Sequence, residues 1–122
     1  MPPGVAPAPA PSGDGEALGW AAAGGGDVLL ADGNDAVLLW SSELREASVL
    51  IPGLLRPRRV AVGAGGDIFV GDARGVVMRS AAGGALRTLL SSPSVAEMAA
   101  DGIGNLYVDD GQRVLKWSPP PP

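Results

Sequence analysis

The sequence predicts an all-β fold, a partial β-propeller with two complete four-stranded blades and an incomplete third blade. One hairpin pattern occurs three times, most clearly as GNLYVDDGQRVLKWS from Gly104, and in looser form from Gly26 and Gly66. The three glycines are 40 and 38 residues apart. Four short strands within about 40 residues is the spacing of a propeller blade.

Each repeat unit contains the same elements in the same order. Small apolar runs begin six residues before each glycine, at Trp20, Val60 and Met98, and predict a first strand. The second strands are apolar on both faces, which is typical of a strand covered on both sides. Segments 46–51 and 85–90 predict a fourth strand in the first two units, whereas the third unit ends after its third strand. A helical interpretation fails because Gly and Pro interrupt the short apolar runs.

The turn between the second and third strands carries an aspartate at the same place in every unit. These residues are Asp32, Asp72 and Asp110, each six residues after its glycine. Aspartate side chains stabilise turns by accepting hydrogen bonds from backbone N–H groups. We therefore expect a structural role in the turn for all three.

The third unit resembles an NHL repeat. It matches the pattern of that family at Asp101, Gly102, Gly104, Tyr107, Val108, Asp110, Arg113, Val114 and Trp117. The second unit keeps part of this pattern, at Pro57, Val60, Gly65, Gly66, Phe69, Val70 and Asp72. The first unit departs most, because Ala36 stands where the family has an arginine before Val37. The resemblance covers roughly residues 18–118. It implies a propeller fold and partner binding, sometimes beside ubiquitin-ligase or kinase domains in larger proteins.

The chain divides into a blade region and two tails of different composition. Residues 1–17 are rich in Pro, Ala and Gly, and a segment of this kind buries too little apolar surface to fold, so we predict disorder. The NHL-like blades occupy residues 18–118, divided as 18–53, 54–92 and 93–118. Residues 119–122 form a proline tail.

The number of blades leaves three interpretations open. Closed propellers use about 4 to 8 blades, which is more than this chain supplies. The chain is a fragment of a larger propeller, a small open array whose edge is blunted by the proline tail, or half of a six-bladed ring formed by two chains. Open apolar blade faces also predict self-association.

Composition excludes several classes of function. Cysteine and histidine are absent, so the chain has no disulfide, no Cys/His zinc site and no Ser-His-Asp triad. The net charge of −4 argues against nucleic-acid binding, which normally requires a basic surface. We find neither a signal peptide nor a run of about 20 apolar residues, and this predicts a cytoplasmic protein without membrane contact.

Strand direction predicts where a binding face would lie. If the strands of a blade alternate in direction, the turns between strands two and three lie on the same side as the links between blades. Propellers commonly bind partners through such loops, because a rigid sheet positions them. We predict a binding face made of Asp32, Asn34, Asp35, Arg56, Arg58, Arg59, Asp72, Arg74, Asp110, Gln112 and Arg113.

These features favour a non-enzymatic interaction module that binds a protein or other macromolecule through this face. We assign no catalytic residue, no metal and no cofactor. The alternative is part of a calcium-dependent lactonase or hydrolase propeller, whose site draws carboxylates and amides from most blades of the ring. Asn34 and Asn105 are the only asparagines, and Glu97 is the only glutamate near an inner strand. The alternative therefore requires that absent blades carry most of the catalytic residues.

Overall fold

The computed structural model describes residues 19–91 and 95–119. The predicted tail at 1–17 and the last three prolines lie outside the described residues. Within those two ranges the chain has no helix, and its eleven strands form three antiparallel sheets of four, four and three strands. The all-β prediction is confirmed.

Each sheet is a meander in which every strand pairs with the next one along the chain. Sheet 1 contains β1 (Gly19–Gly24), β2 (Asp27–Ala31), β3 (Val37–Ser41) and β4 (Glu46–Ile51). Sheet 2 contains β5 (Arg59–Val62), β6 (Ile68–Asp72), β7 (Gly75–Arg79) and β8 (Arg87–Ser91). Sheet 3 contains β9 (Glu97–Ala100), β10 (Leu106–Asp109) and β11 (Val114–Trp117). Strand β8 thus begins two residues later than the segment 85–90 predicted for it.

Sheet 2 lies between the other two sheets and is covered on both faces. One apolar cluster joins it to sheet 1 and contains Leu29, Val37, Ile51, Leu54, Val60, Val70 and Val77. A second cluster joins it to sheet 3 and contains Ala61, Phe69, Val76, Met78, Met98, Leu106 and Val108. This double burial explains why β6 is apolar on both faces. The first strands lie side by side, with β5 between β1 and β9.

The face of sheet 1 that points away from sheet 2 is apolar and uncharged. Strand register places on this outer face Trp20, Ala22, Val28, Leu30, Leu38, Trp40, Ala47 and Val49. Trp20 is 54% exposed and Val49 is 59% exposed on the two edge strands, whereas Leu30 between them is only 1% exposed. Large apolar side chains therefore meet solvent at this end of the array.

The outer face of sheet 3 is polar by contrast. Its register places there Glu97, Ala99, Tyr107, Asp109, Val114 and Lys116. By the repeat alignment, Tyr107 and Lys116 occupy the positions of Phe69 and Met78, which sheet 2 buries. Terminal repeats of stacked arrays commonly carry a polar outer face of this kind. The two ends of the array therefore differ in chemistry.

Candidate functional site

An open cleft of about 620 Å³ lies on the predicted binding side, where loops of sheets 2 and 3 meet. We call the surface that carries the β2–β3, β6–β7 and β10–β11 turns and the links between sheets the loop face. The cleft is lined by charged side chains, namely Arg56, Arg58, Arg59, Asp72 and Asp110. Its remaining walls are small residues and backbone, at 71, 73, 95, 96 and 111.

The link between sheets 1 and 2, residues 52–58, is held to sheet 1 by backbone hydrogen bonds. The Leu54 N–H donates to the carbonyl of Asp35, and the Arg56 N–H donates to the carbonyl of Asn34, both at 2.9 Å. Arg56 adopts a φ of 48°, in the left-handed region that few residues other than glycine occupy. The β2–β3 turn therefore fixes the backbone from which the Arg56 side chain projects.

The same link is also held to sheet 2. The Arg58 N–H donates to the carbonyl of Gly71 at 2.8 Å, and the Ala73 N–H donates to the carbonyl of Leu55 at 2.8 Å. Between the two arginines, Pro57 is fully buried. The link is thus tied to both sheets, with Arg56 and Arg58 exposed on either side of an apolar anchor.

Asp72 is the one charged residue that the described part of the chain buries. Its Oδ2 accepts hydrogen bonds from the Leu55 N–H at 3.2 Å and from the Arg74 guanidinium at 2.6 and 3.1 Å. Its Oδ1 accepts the Arg74 N–H at 2.9 Å. Burial opposes ionisation of Asp72, but the hydrogen bonds and charge of Arg74 and the Leu55 N–H lower its pKa below the usual range.

The equivalent aspartates of the other two units serve their own turns. Asp32 Oδ1 accepts N–H groups from residues 34, 35 and 36 at 2.8 to 3.1 Å. Asp110 Oδ1 accepts the N–H groups of Gln112 and Arg113, both at 2.9 Å. These bonds, with the Arg113 guanidinium at 3.7 Å from Oδ2, lower the pKa of Asp110. These hydrogen bonds confirm the predicted turn-stabilising role of all three aspartates.

Arg59 holds the first strands of sheets 2 and 3 together. Its Nε donates to the carbonyl of Ala96 at 2.8 Å and lies 3.6 Å from Glu97 Oε1, and its Nη1 donates to the carbonyl of Arg58 at 2.8 Å. Arg59 is therefore a structural member of the cleft wall as well as a source of positive charge.

The close approach of the Val95 side chain to the backbone of Gly71 forms the floor of the cleft. A Cβ added at Gly71 would lie 2.9 Å from Val95 Cγ1 and 3.2 Å from its Cβ. Only glycine therefore lets the segment before β9 pack directly on β6. A larger residue at 71 would push the loops of sheets 2 and 3 apart and open the cleft.

The charges of the cleft do not balance. Asp72 and Asp110 are each paired with an arginine of their own turn, Arg74 and Arg113. The exposed side chains of Arg56 and Arg58, in contrast, have no hydrogen-bond or ion-pair partner among the residues that the structure describes. The cleft therefore presents positive charge on a chain whose net charge is −4.

Five of the eleven residues predicted for the binding face line the cleft, and the other six lie elsewhere on the loop face. Asp32, Asn34 and Asp35 build the β2–β3 turn and hold the link, while Arg74, Gln112 and Arg113 take part in their own turns. Sequence reasoning missed Gly71, Val95 and Ala96, which contribute backbone and small side chains. The repeated glycine-rich pattern carried no signal for them.

The opposite side of the molecule carries a further hydrogen-bonded aspartate, Asp101, in the β9–β10 turn. Asp101 accepts hydrogen bonds from the backbone and side-chain N–H groups of Asn105, the Ile103 N–H and the Tyr107 hydroxyl. These bonds, that of the Asn105 backbone first, lower the pKa of Asp101 to about 2. In residues 19–91 and 95–119, no group of three or more acidic side chains is arranged to hold a metal ion. Nor does that part of the chain contain a helix of the length and apolarity needed to cross a membrane.

No model of a protein family matches the chain, and no curated protein matches it. The resemblance to NHL repeats therefore remains a prediction from the residues themselves.

Proposed function

We propose that the three sheets are blades of a partial propeller of the NHL type, and that the chain is a non-enzymatic protein-interaction module. Two features support the propeller arrangement. Each sheet is a meander, and the first strands β1, β5 and β9 are neighbours in that order, as the inner strands of successive blades are.

The observation that carries the proposal is the cleft on the loop face. The backbone of the link at residues 52–58 is fixed by hydrogen bonds to sheets 1 and 2, while the Arg56 and Arg58 side chains project from it into solvent. A rigid scaffold that presents polar groups on loops is the usual arrangement of a binding surface. The partner therefore meets a preformed surface, which reduces the ordering cost of binding.

The carboxylates of the loop face suit binding better than catalysis. A general acid or base works best with a pKa near the operating pH. Asp72 and Asp110 instead have lowered pKa values, and each is occupied by hydrogen bonds within its own turn. The lactonase-type alternative would need its catalytic groups from outside these loops.

Selection from a random peptide display library tests the loop face. We expect the selection to yield peptides that bind the wild-type chain. Their affinity should fall at least about tenfold for Ala96→Trp, because the indole fills the cleft and excludes most of the contacts. Ala96 is exposed at the cleft. Ala82→Trp, at an exposed position of the β7–β8 turn on the opposite side, is the matched control. Selected peptides that tolerate Ala96→Trp would place binding elsewhere and refute the proposal.

A second proposal is weak self-association through the outer face of sheet 1, with a second copy of the chain as the occupant. This face is uncharged, so two copies meet without like-charge repulsion. Stacking it on sheet 3 of another copy would bury Glu97, Asp109 and Lys116 against apolar side chains, at a high desolvation cost. Four strands of about five residues give this face a planar area of about 300 Å² per copy. In a stable complex each partner loses about 800 Å² of accessible surface, so the face is small for a stable dimer.

We therefore expect a dimer only at high concentration, with a dissociation constant weaker than about 1 μM. Val49→Lys should abolish it, because a charge enters an otherwise uncharged apolar contact. Val114→Lys, at an exposed position of the outer face of sheet 3, should leave it unchanged. Sedimentation equilibrium over a range of concentrations measures both variants. A dimer lost equally in the two variants would contradict the isologous contact.

A further inference from the structure

We propose that the cleft of the loop face recognises an acidic segment of a partner polypeptide, with Arg56 and Arg58 as the residues that bind its carboxylates. This inference rests on the proposed interaction function and names the chemistry of the partner. It starts from the two side chains of the cleft that the described structure leaves without a polar partner.

The charge of the cleft is positive once its internal pairs are taken into account. Asp72 Oδ2 accepts a 2.6 Å bond from Arg74, and the acceptor positions of Asp72 are further occupied by two backbone N–H groups. Asp110 Oδ1 accepts two backbone N–H groups of its own turn, and its Oδ2 lies 3.7 Å from the Arg113 guanidinium. Neither carboxylate is therefore free to neutralise Arg56 or Arg58. An anion from outside is the complementary ligand.

The two arginines are held in a fixed relation by the residue between them. Pro57 is fully buried and has a restricted φ, and the N–H groups on either side of it donate to Asn34 and Gly71. The backbone from which the two guanidinium groups project therefore does not need to reorganise on binding. A carboxylate pair on a flexible peptide can therefore bind without ordering the link first.

The size and extent of the positive surface favour a peptide over a nucleic acid. The cleft has a volume of about 620 Å³, within the range of about 300 to 1,000 Å³ typical of sites for small ligands. Nucleic-acid binding relies on many phosphate contacts along a basic surface, whereas this chain has a net charge of −4. A short run of carboxylates matches a short positive cleft.

The test uses a fluorescein-labelled peptide of four consecutive glutamates flanked by Gly-Ser, with fluorescence anisotropy as the readout. Arg56→Gln/Arg58→Gln should weaken binding at least about fivefold, as expected for two partly exposed charge-assisted pairs. Arg45→Gln/Arg87→Gln removes the same charge from exposed positions outside the cleft and should change binding less than about twofold. A circular dichroism melt of each variant shows that the sheets are retained.

Any one of the following results would overturn the inference. The first is equal weakening by both double variants, which would indicate only general electrostatic attraction. The second is equal binding of a peptide with glutamine in place of glutamate, or no binding of the glutamate peptide. The third is a single-stranded oligonucleotide that displaces the peptide and binds more tightly. Selected peptides that are neutral but sensitive to Ala96→Trp would refute the acidic partner and leave the interaction function standing.

Discussion

Replacement of Phe69 by alanine is expected to lower the free energy of unfolding by about 3 to 5 kcal/mol. Phe69 is only 2% exposed and belongs to the cluster that joins sheets 2 and 3. Its ring meets the Trp117 indole of sheet 3 edge to face, with centroids 5.6 Å apart and planes at 64°. Alanine would remove this contact and leave a cavity between two sheets, and small domains have little stability to spare.

Tyr107→Ala is the matched control, because Tyr107 occupies the same position in the third unit. Tyr107 is 36% exposed on the outer face of sheet 3, where no described sheet covers it. We expect it to cost about 1 kcal/mol, because it leaves no cavity between sheets and removes the exposed hydrogen bond from the Tyr107 hydroxyl to Asp101. Urea titrations followed by far-ultraviolet circular dichroism measure both variants. Equal losses would mean that sheets 2 and 3 do not pack as described.

The strands could be predicted from the sequence because local chemistry determines them. The period near 40 residues, the aspartate turns and the glycines define β1 to β11 without knowledge of tertiary contacts. The late start of β8 could not be predicted in the same way. Gly83 and Gly84 both adopt positive φ and lengthen the β7–β8 turn, but a pattern of apolar residues does not reveal backbone conformation.

The site could be predicted only in part, for a similar reason. Strand alternation indicated that the arginines of the link share a side with Asp72 and Asp110, and the cleft contains all of them. Its floor depends on the contact of Gly71 with Val95, which lie in different units. Such a contact is a property of sheet stacking, and single-unit patterns contain no information about it.

The outer faces of sheets 1 and 3 differ in polarity, and the sequence alone did not predict this difference. Lys116 and Asp109 stand where the second unit has Met78 and Gly71. The sequence does not indicate which face of the third sheet packs on sheet 2. The structure shows that it is the face that carries Met98 and Val108. The polar residues are therefore on the uncovered face, which lowers the tendency of that end to aggregate.

Replacement of Asp72 by alanine is the second substitution with a large expected effect, about 2 kcal/mol of unfolding free energy. It removes the acceptor of the Leu55 N–H and the partner of the Arg74 guanidinium. Because the Arg74 side chain is 44% exposed, water can replace part of the hydrogen bonding that it loses with Asp72. The expected loss of stability is therefore smaller than for a fully buried ion pair. Amide hydrogen exchange at Leu55 should accelerate, since its N–H no longer has an acceptor.

The effect of Asp72→Ala should also depend on pH in a defined direction. The pKa of Asp72 in the folded protein lies below its ordinary value of 3.8. Its contribution is therefore complete above that value and is lost as the pH falls through the folded pKa. Asp101 and Asp110 also have lowered pKa values, so wild type and variant both lose stability in acid, and only their difference reports Asp72.

We expect the stability difference between wild type and Asp72→Ala to be constant near neutral pH and to shrink below about pH 4. Urea titrations at a series of pH values measure it. Asp32→Ala is the control at the equivalent position, where the carboxylate accepts its backbone N–H groups in an exposed turn that water can also reach. A smaller loss of stability is expected there, because the Leu55 N–H keeps its acceptor, Asp72. If Asp32→Ala and Asp72→Ala cost the same, Asp72 is a turn residue only and does not connect the link to sheet 2.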